Sequence, residues 1–316
     1  MAHTLNAFVH TLKFEAQDIL SLELRPLAGE EFPAFEAGSH IDLHLPNGIV
    51  RSYSLLNDCR ERHRYVIGVL KDKASRGGSR AVHEQLRIAM QLQISEPRNN
   101  FKLTETAEHS VLVAGGIGIT PILSMMRRLL SQGRTDFKLY YCTRDAAGTA
   151  FMDELHAPEL AGKITVHHDH GDPAKALDLW PVFERPSNAH VYCCGPQGLM
   201  DSVRDMTGHW PSERIHFESF GVAQTGFAEN KIFDVVLQKS GTRMTVPTEQ
   251  SILEVLRACG HVVSSSCESG TCGSCRTGLI AGEAEHRDMV LRPDEHTHQI
   301  MVCVSRAKST ELVLDL

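Results

Sequence analysis

The 316-residue chain has no Lys/Arg-rich run, and its 32 basic residues are outnumbered by 39 acidic ones, for a formal net charge of -7. Phosphate contacts want a basic footprint, so this balance argues against a nucleic-acid binder. No apolar stretch approaches the length that crosses a bilayer. Met1 to Ala16 interleave His, Thr, Lys and Glu with apolar residues, which breaks the uniform core of a signal peptide. The expected location is therefore the reducing cytoplasm, with the nine cysteines as thiols or metal ligands. Internal repeats, low-complexity tracts and a recognisable oxygenase active site are also missing. What is present is an ordinary globular composition, 42% hydrophobic and 22% charged. The length suits roughly two or three domains.

The first hundred residues read as strands, at Ser21 to Leu24, Ser39 to Leu45, Val50 to Leu55 and Arg64 to Lys71, punctuated by Pro26, Pro33, Pro46-Asn47-Gly48 and Asn57-Asp58. That spacing predicts an antiparallel barrel. From Ser110 the pattern changes to short continuous apolar runs, Val111 to Ala114, Lys138 to Cys142, Ile164 to His168 and Ala189 to Cys193, with helical spacing over Ile122 to Leu130. Such alternation predicts a parallel sheet with crossover helices. Gly221 to Asn230 reads as a tether. After it, Phe233 to Gln238 and Arg243 to Val246 suggest a hairpin, and Ser251 with Glu254 has capping-box spacing before a short helix ending near Gly260.

The strongest motif is Cys267-(x4)-Cys272-(x2)-Cys275, with Cys303 following after 27 intervening residues. This is the plant-type spacing that ligates a 2Fe-2S cluster, which needs four thiolates. Gly270 and Gly273 stand where the loop must bend around the cluster. Zinc modules usually pair two short knuckles, and only one short pair exists here. Cys59, Cys142, Cys193, Cys194 and Cys259 have no comparable spacing and are expected mostly as small apolar residues.

Gly115-Gly116-Ile117-Gly118-Ile119-Thr120-Pro121 joins a buried-type strand to an amphipathic helix, the place for a pyrophosphate at a helix N-terminus. Thr120 is the expected N-cap and Pro121 the expected first helical residue. The turn departs from the G-x-G-x-x-G fingerprint, because Pro121 stands where the last glycine would be. On the barrel, Arg51-Ser52-Tyr53-Ser54 offers an arginine for phosphate, a ring for a flat heterocycle and a serine for its nitrogen edge, and Ser75 to Arg80 precedes a helix-like stretch. His167-His168-Asp169-His170 is read as a strand end and loop, since successive strand side chains point to opposite faces.

Taken together, these motifs resemble the phthalate dioxygenase reductase family, to which vanillate demethylase reductases also belong, over nearly the whole chain. The resemblance implies a multidomain protein: an FMN-binding antiparallel β-barrel over 1–104, an NAD-binding α/β parallel-sheet domain over 105–224, and a tethered α+β ferredoxin (β-grasp) domain over 225–316. It implies flavin contacts at Arg51, Ser52, Tyr53, Ser54 and Lys71, with the FMN phosphate at Gly77, Gly78 and Ser79. Nucleotide contacts are implied at Gly115, Gly116, Gly118, Thr120 and Pro121, and at Cys194, Gly195 and Pro196 of a C-G-P motif. Phe217 to Phe220 resembles the segment that closes the flavin site, with Phe220 beside the cofactor.

Ser54 is expected at the flavin's reactive nitrogen edge, and Cys194 and Glu218 around the nicotinamide. Arg144 would meet a 2′-phosphate, whereas Asp145 would bond a ribose hydroxyl and repel that phosphate, and the family leans to NADH over NADPH. The implied activity passes electrons from NADH through FMN and the cluster, one at a time, to a separate terminal oxygenase, of Rieske type. A cytochrome P450 as acceptor and a redox-sensing flavoprotein without turnover are the alternatives.

Overall fold

Strand β1 (Thr4–Ala16) pairs antiparallel with β2 (Ile19–Pro26), opening a sheet that also contains β3 (Ser39–His44), β4 (Val50–Ser54), β5 (Tyr65–Leu70), β6 (Gln91–Ser95) and β7 (Arg98–Asn99). The strand order is β4-β3-β6-β1-β2-β5, with β7 on β3, and every pairing is antiparallel. The sheet curls until its ends meet: Leu55 bridges to Ile67, and Leu56 N–H donates to Val66 O at 2.9 Å. These contacts bring the two end strands of the curled sheet together at one point. Helix α1 (Gly78–Gln85) follows β5, and its Val82 joins Leu22, Ile41, Leu43, Tyr65 and Ile67 in the barrel core.

A parallel sheet follows, of β8 (Ser110–Gly115), β9 (Phe137–Thr143), β10 (Ile164–His168), β11 (His190–Cys194) and β12 (Ile215–Glu218). Its order is β10-β9-β8-β11-β12. The chain thus builds outward from β8 in one direction and then, from β11, in the other, so β8 and β11 flank the topological switch point. All six residues of β8 are buried, as a central parallel strand covered on both faces requires. Helices α2 (Ile119–Ser131), α3 (Met152–Leu155), α4 (Trp180–Phe183) and α5 (Gln197–Met206) lie between these strands in sequence. Leu123 and Met126 of α2 are buried with Leu112 and Leu139 of the sheet. Barrel and parallel sheet together make one compact unit, Met1–Glu218, and Ser219–Leu316 makes a second.

In the second unit β13 (Phe233–Leu237) and β14 (Arg243–Val246) form the expected hairpin, and α6 (Ile252–Ala258) follows. The remaining strands are β15 (Arg276–Ala281), β16 (Ala284–Glu285), β17 (Gln299–Met301), β18 (Arg306–Ala307) and β19 (Glu311–Leu314). The mixed sheet runs β14-β13-β19-β15-β17, with β13 and β19 parallel, and Leu253 and Leu256 of α6 share its core. This computed structural model describes residues 4–27, 30–73, 77–220, 229–265, 270, 273–288, 291–292 and 294–316. Among them no helix is long and apolar enough to cross a membrane.

Candidate nucleotide, flavin and cluster sites

Two glycine turns interlock at the C-terminal ends of β8 and β11. Ala114 and Cys194 are paired across these neighbouring strands, so the turns leave the sheet side by side. A Cβ on Gly118 would overlap the carbonyl of Cys194 and lie 2.8 Å from Gly195 N. One on Gly115 would lie 2.5 Å from Pro196 Cδ, and one on Gly195 would lie 2.8 Å from Gly115 Cα. Three glycines are therefore needed to let the turns touch. Gly116, held at φ 52°, instead faces open space, leaving backbone accessible beside the start of α2. A crevice outside the carboxyl ends of parallel strands, at the switch point, is where open α/β sheets bind nucleotides.

One expectation at this turn is corrected. Thr120 is not the N-cap and Pro121 is not the first helical residue: α2 begins at Ile119 with Gly118 as its cap. A short 3₁₀ turn over Gly116–Gly118 runs directly into the helix and moves its start upstream. Thr120 Oγ1 donates to Ile117 O at 3.1 Å, and its methyl sits where a Cβ on Gly68 of β5 would be, 2.7 Å away. Pro121 remains tolerable because N–H groups in the first turn have no intrahelical partner.

Cys194 is fully buried, and desolvation pushes its thiol well above the ordinary range, with the Glu218 carboxylate adding to the effect. The thiol stays neutral. Ser54, at the end of β4, donates its hydroxyl to Glu218 Oε2 at 3.4 Å, so the structure brings Ser54, Glu218 and Cys194 to one region of the first unit. Strand alternation places Arg51 and Tyr53 on one face of β4 and Ser52 and Ser54 on the other. Ser52 Oγ donates to Asp42 Oδ1 at 2.6 Å, its cross-strand neighbour. Burial raises the Tyr53 phenol to about 12, so the ring is a neutral apolar surface.

At the start of α1, Gly77 takes φ 102°, and a Cβ on Gly78 would lie 2.7 Å from Arg51 Cγ. Arg51 thus runs along the first turn of a helix, in close contact with Gly78. That cradle fits a phosphate group held by an arginine and first-turn helix N–H donors. Ser79 Oγ accepts from Asp72 N–H at 3.1 Å, and Lys71 Nζ pairs with Glu84 Oε1 at 2.9 Å. Ser75 and Arg76 lie outside the described residues.

Following β9, Asp145 Oδ1 accepts Gly148 N–H at 2.9 Å, and Arg144 is exposed with its carbonyl bonded to His170 N–H. His167 Nε2 lies 2.7 Å from Lys175 O, whereas His168 Nδ1 lies 2.9 Å from Thr143 Oγ1. Phe220 is about half exposed and belongs to the second unit. The tether, apart from Glu229 and Asn230 within its predicted span, lies outside the described residues.

Cys275 and Cys303 are buried in the same apolar core of the second unit, at 1% and 7% exposure. Gly270 takes φ 74°, and a Cβ there would lie 2.7 Å from Val304 Cγ2 and 3.1 Å from Asp288 Cα. Gly270 is therefore pressed against Val304, the residue next to Cys303. Two soft sulfur donors buried in one core, distant in sequence, are of the chemistry that an iron–sulfur cluster takes. Cys267 and Cys272 lie outside the described residues. Gly68 escapes the sequence reading, although a glycine inside an otherwise apolar strand signals close backbone approach.

Comparisons with known proteins agree with this layout. Residues 112–205 match the oxidoreductase NAD-binding domain family, and residues 235–308 match the 2Fe-2S iron–sulfur cluster binding domain family. The chain is 57% identical over 302 residues to phthalate dioxygenase reductase of Burkholderia cepacia, covering 95% of this chain and 94% of that one. Vanillate O-demethylase oxidoreductase of Pseudomonas sp. (strain HR199 / DSM 7063) is 43% identical, covering 99% and 100%. A solved structure of phthalate dioxygenase reductase, described as modular for electron transfer from pyridine nucleotides to 2Fe-2S, superposes with a TM-score of 0.85 at 55% identity, covering 99% and 98%. An intact type IV self-sufficient cytochrome P450 monooxygenase gives 0.77 at 37% identity, covering 99% of this chain and 41% of that one.

Proposed function

We propose that this chain, which belongs to the phthalate dioxygenase reductase family, is the reductase component of a Rieske-type oxygenase system, moving electrons from NADH through FMN and a 2Fe-2S cluster to a separate terminal oxygenase. The carrying observation is that one chain joins interlocked glycine turns at a parallel-sheet switch point to a second unit in which Cys275 and Cys303 share a core. The proposed order is 1–104 for flavin, 105–224 for nucleotide and 225–316 for the cluster. Bound FMN would accept two electrons together and release them singly, which suits a nicotinamide donor and a one-electron cluster.

The protein's own residues position and insulate. Gly116 leaves room for a pyrophosphate at the α2 N-terminus, and Arg51 with Gly77, Gly78 and Ser79 would hold the flavin phosphate. Ser54 and Glu218 share a hydrogen bond at the rim where the ring edge would lie. Cys194, neutral and buried, gives that rim a dry wall and does not serve as an acid or base near neutral pH. Cys267, Cys272, Cys275 and Cys303 would hold the cluster. Asp145, fixed by Gly148 N–H, favours a ribose hydroxyl over a 2′-phosphate, and hence NADH. Thiols at Cys59, Cys142, Cys193, Cys194 and Cys259 suit a reducing, cytoplasmic setting.

The P450 likeness supports a second reading, in which the acceptor is a haem protein. Purified protein assayed for FMN, iron and acid-labile sulfide tests the common core of both readings, and zinc on the four cysteines would overturn it. Cys272→Ser should abolish reduction of an added oxygenase while NADH-to-dye reduction stays within about twofold. Equal survival of both activities would exclude relay through the cluster. Supplying a Rieske oxygenase and a P450 in parallel decides between the acceptors.

A further inference from the structure

The flavin barrel and the nucleotide module meet along a seam within the first unit, and that seam is unevenly filled. At one end it is dry: Leu56, Ala37 and Phe101 from the barrel side enter the core formed by Leu112, Ile122, Leu123 and Met126. Beside this lies a cleft of about 340 Å³ whose walls include Phe14, Val66, Arg127, Phe151 and Glu154. Apolar packing continues along the cleft, where Leu56 and Val66 of the barrel share that core with Phe151 and Met152, but such packing is not directional, and a polar tie is added to it there.

Arg127 of α2 supplies it. Its Nη1 donates to Leu56 O, in the segment that leaves β4 two residues after Ser54. Its Nε donates to Glu154 Oε1 at 2.8 Å and its Nη2 to Glu154 Oε2, a bidentate pair with α3. One planar fork thus ties together α2, α3 and the barrel closure. One turn earlier on α2, Ser124 Oγ donates to Asn57 O at 3.3 Å. Asn57 is itself locked, its Oδ1 accepting Val66 N–H at 2.9 Å and its Nδ2 donating to Arg64 O at 3.2 Å. The segment just past Ser54 is therefore held both by β5 and by the helix that starts at the nucleotide turn.

We infer that Arg127 is a positioning residue for hydride transfer: by gripping Leu56 O and Glu154 together, it sets the distance between the β4 rim at Ser54 and the nucleotide turns at the head of its own helix. The inference rests on the proposed NADH-to-flavin function. Hydride transfer is sensitive to such placement, since misplacement of about 1 Å can cost on the order of a hundredfold in rate. Arg127 touches neither proposed cofactor contact set, so its effect should appear in the transfer step and not in cofactor affinity. A lysine keeps the charge but cannot form the bidentate pair and the carbonyl bond from one rigid plane.

The test compares full-length wild type, Arg127→Lys and Glu154→Gln, each checked for folding by circular dichroism and for bound FMN. Anaerobic stopped-flow mixing with NADH separates the limiting rate of flavin reduction from the apparent Kd, and hydrogen exchange follows the 55–57 segment. The expected result for Arg127→Lys is a limiting rate lower by roughly tenfold or more, an apparent Kd within about threefold, unchanged FMN content and faster exchange at 55–57. Glu154→Gln, which weakens one arm of the fork, should give a limiting rate between those of Arg127→Lys and wild type. A wild-type limiting rate in Arg127→Lys, or loss that lies wholly in Kd or in FMN retention, overturns the inference. If wild-type protein holds no FMN or is not reduced by NADH, the functional reading itself has failed, an outcome distinct from either.

Discussion

Cys275 and Thr120 show what single residues disclose before folding. The four-cysteine pattern is conspicuous because the proposed cluster ligation would be written in covalent spacing, and Gly270 and Gly273 within it both take positive φ. Thr120 misleads because Ser, Thr, Asp and Asn before a helical run look alike as caps. Its actual role is decided by Gly68, some fifty positions away, whose missing side chain receives the Thr120 methyl. The interlocked glycines at the switch point permit a direct test. In Gly118→Ala the added methyl must displace the Cys194 carbonyl or the Gly195 backbone, a cost of roughly 1–3 kcal/mol for overpacking a rigid site. The expected outcome is a lower unfolding midpoint and at least about tenfold weaker NADH binding by titration, with FMN still bound. Unaltered NADH affinity would show that these turns do not form the nucleotide site.

Strands and helices are legible in proportion to how regular their burial is. β8 and the hairpin of β13 and β14 emerge from apolar runs and alternation, and α6 from its cap. β1, the longest strand at 13 residues, escapes because register shifts between Val9 and Thr11 and between Phe14 and Ala16 break its period of two. β12 escapes because all four residues are half-buried at a sheet edge, with no contrast to detect. In β6 the alternation of Gln91, Leu92, Gln93 and Ile94 is present but brief. The cap on α6 makes a quantitative case. Ser251 Oγ accepts Glu254 N–H at 3.2 Å, and Glu254 Oε2 accepts Ser251 N–H at 2.7 Å. Because Leu253 N–H donates to Val302 O beside Cys303, fraying of this helix start reaches the cluster segment. Ser251→Ala should cost about 1 kcal/mol in the second unit's unfolding by urea, read from loss of cluster absorbance. A midpoint equal to wild type would mean the cap is irrelevant to that segment.

For the molecule as a whole, the two units should lose stability together in mild acid, for separable reasons. In the first unit His216 stacks on Tyr192 at 4.6 Å, and burial, aided by the neighbouring His190, lowers its imidazole from 6.5 to about 4. In the second, burial and then His296 lower His286. An unfolded chain takes up these protons near pH 6.5, whereas the folded chain resists until lower pH, so between those values the unfolded state binds more protons. Stability is therefore full above about pH 6.5 and falls as the pH drops toward 4. With separate reporters the units can be followed apart, as a multidomain chain requires. Flavin release under urea reads the first unit and bleaching of the cluster reads the second. His216→Phe, which keeps a ring on Tyr192 but takes no proton, should flatten the acid dependence of flavin release and leave that of cluster bleaching unchanged. If both dependences flattened alike, the two units would be sharing one cooperative transition, and if neither did, His216 would not be the proton acceptor that the first unit's burial makes it.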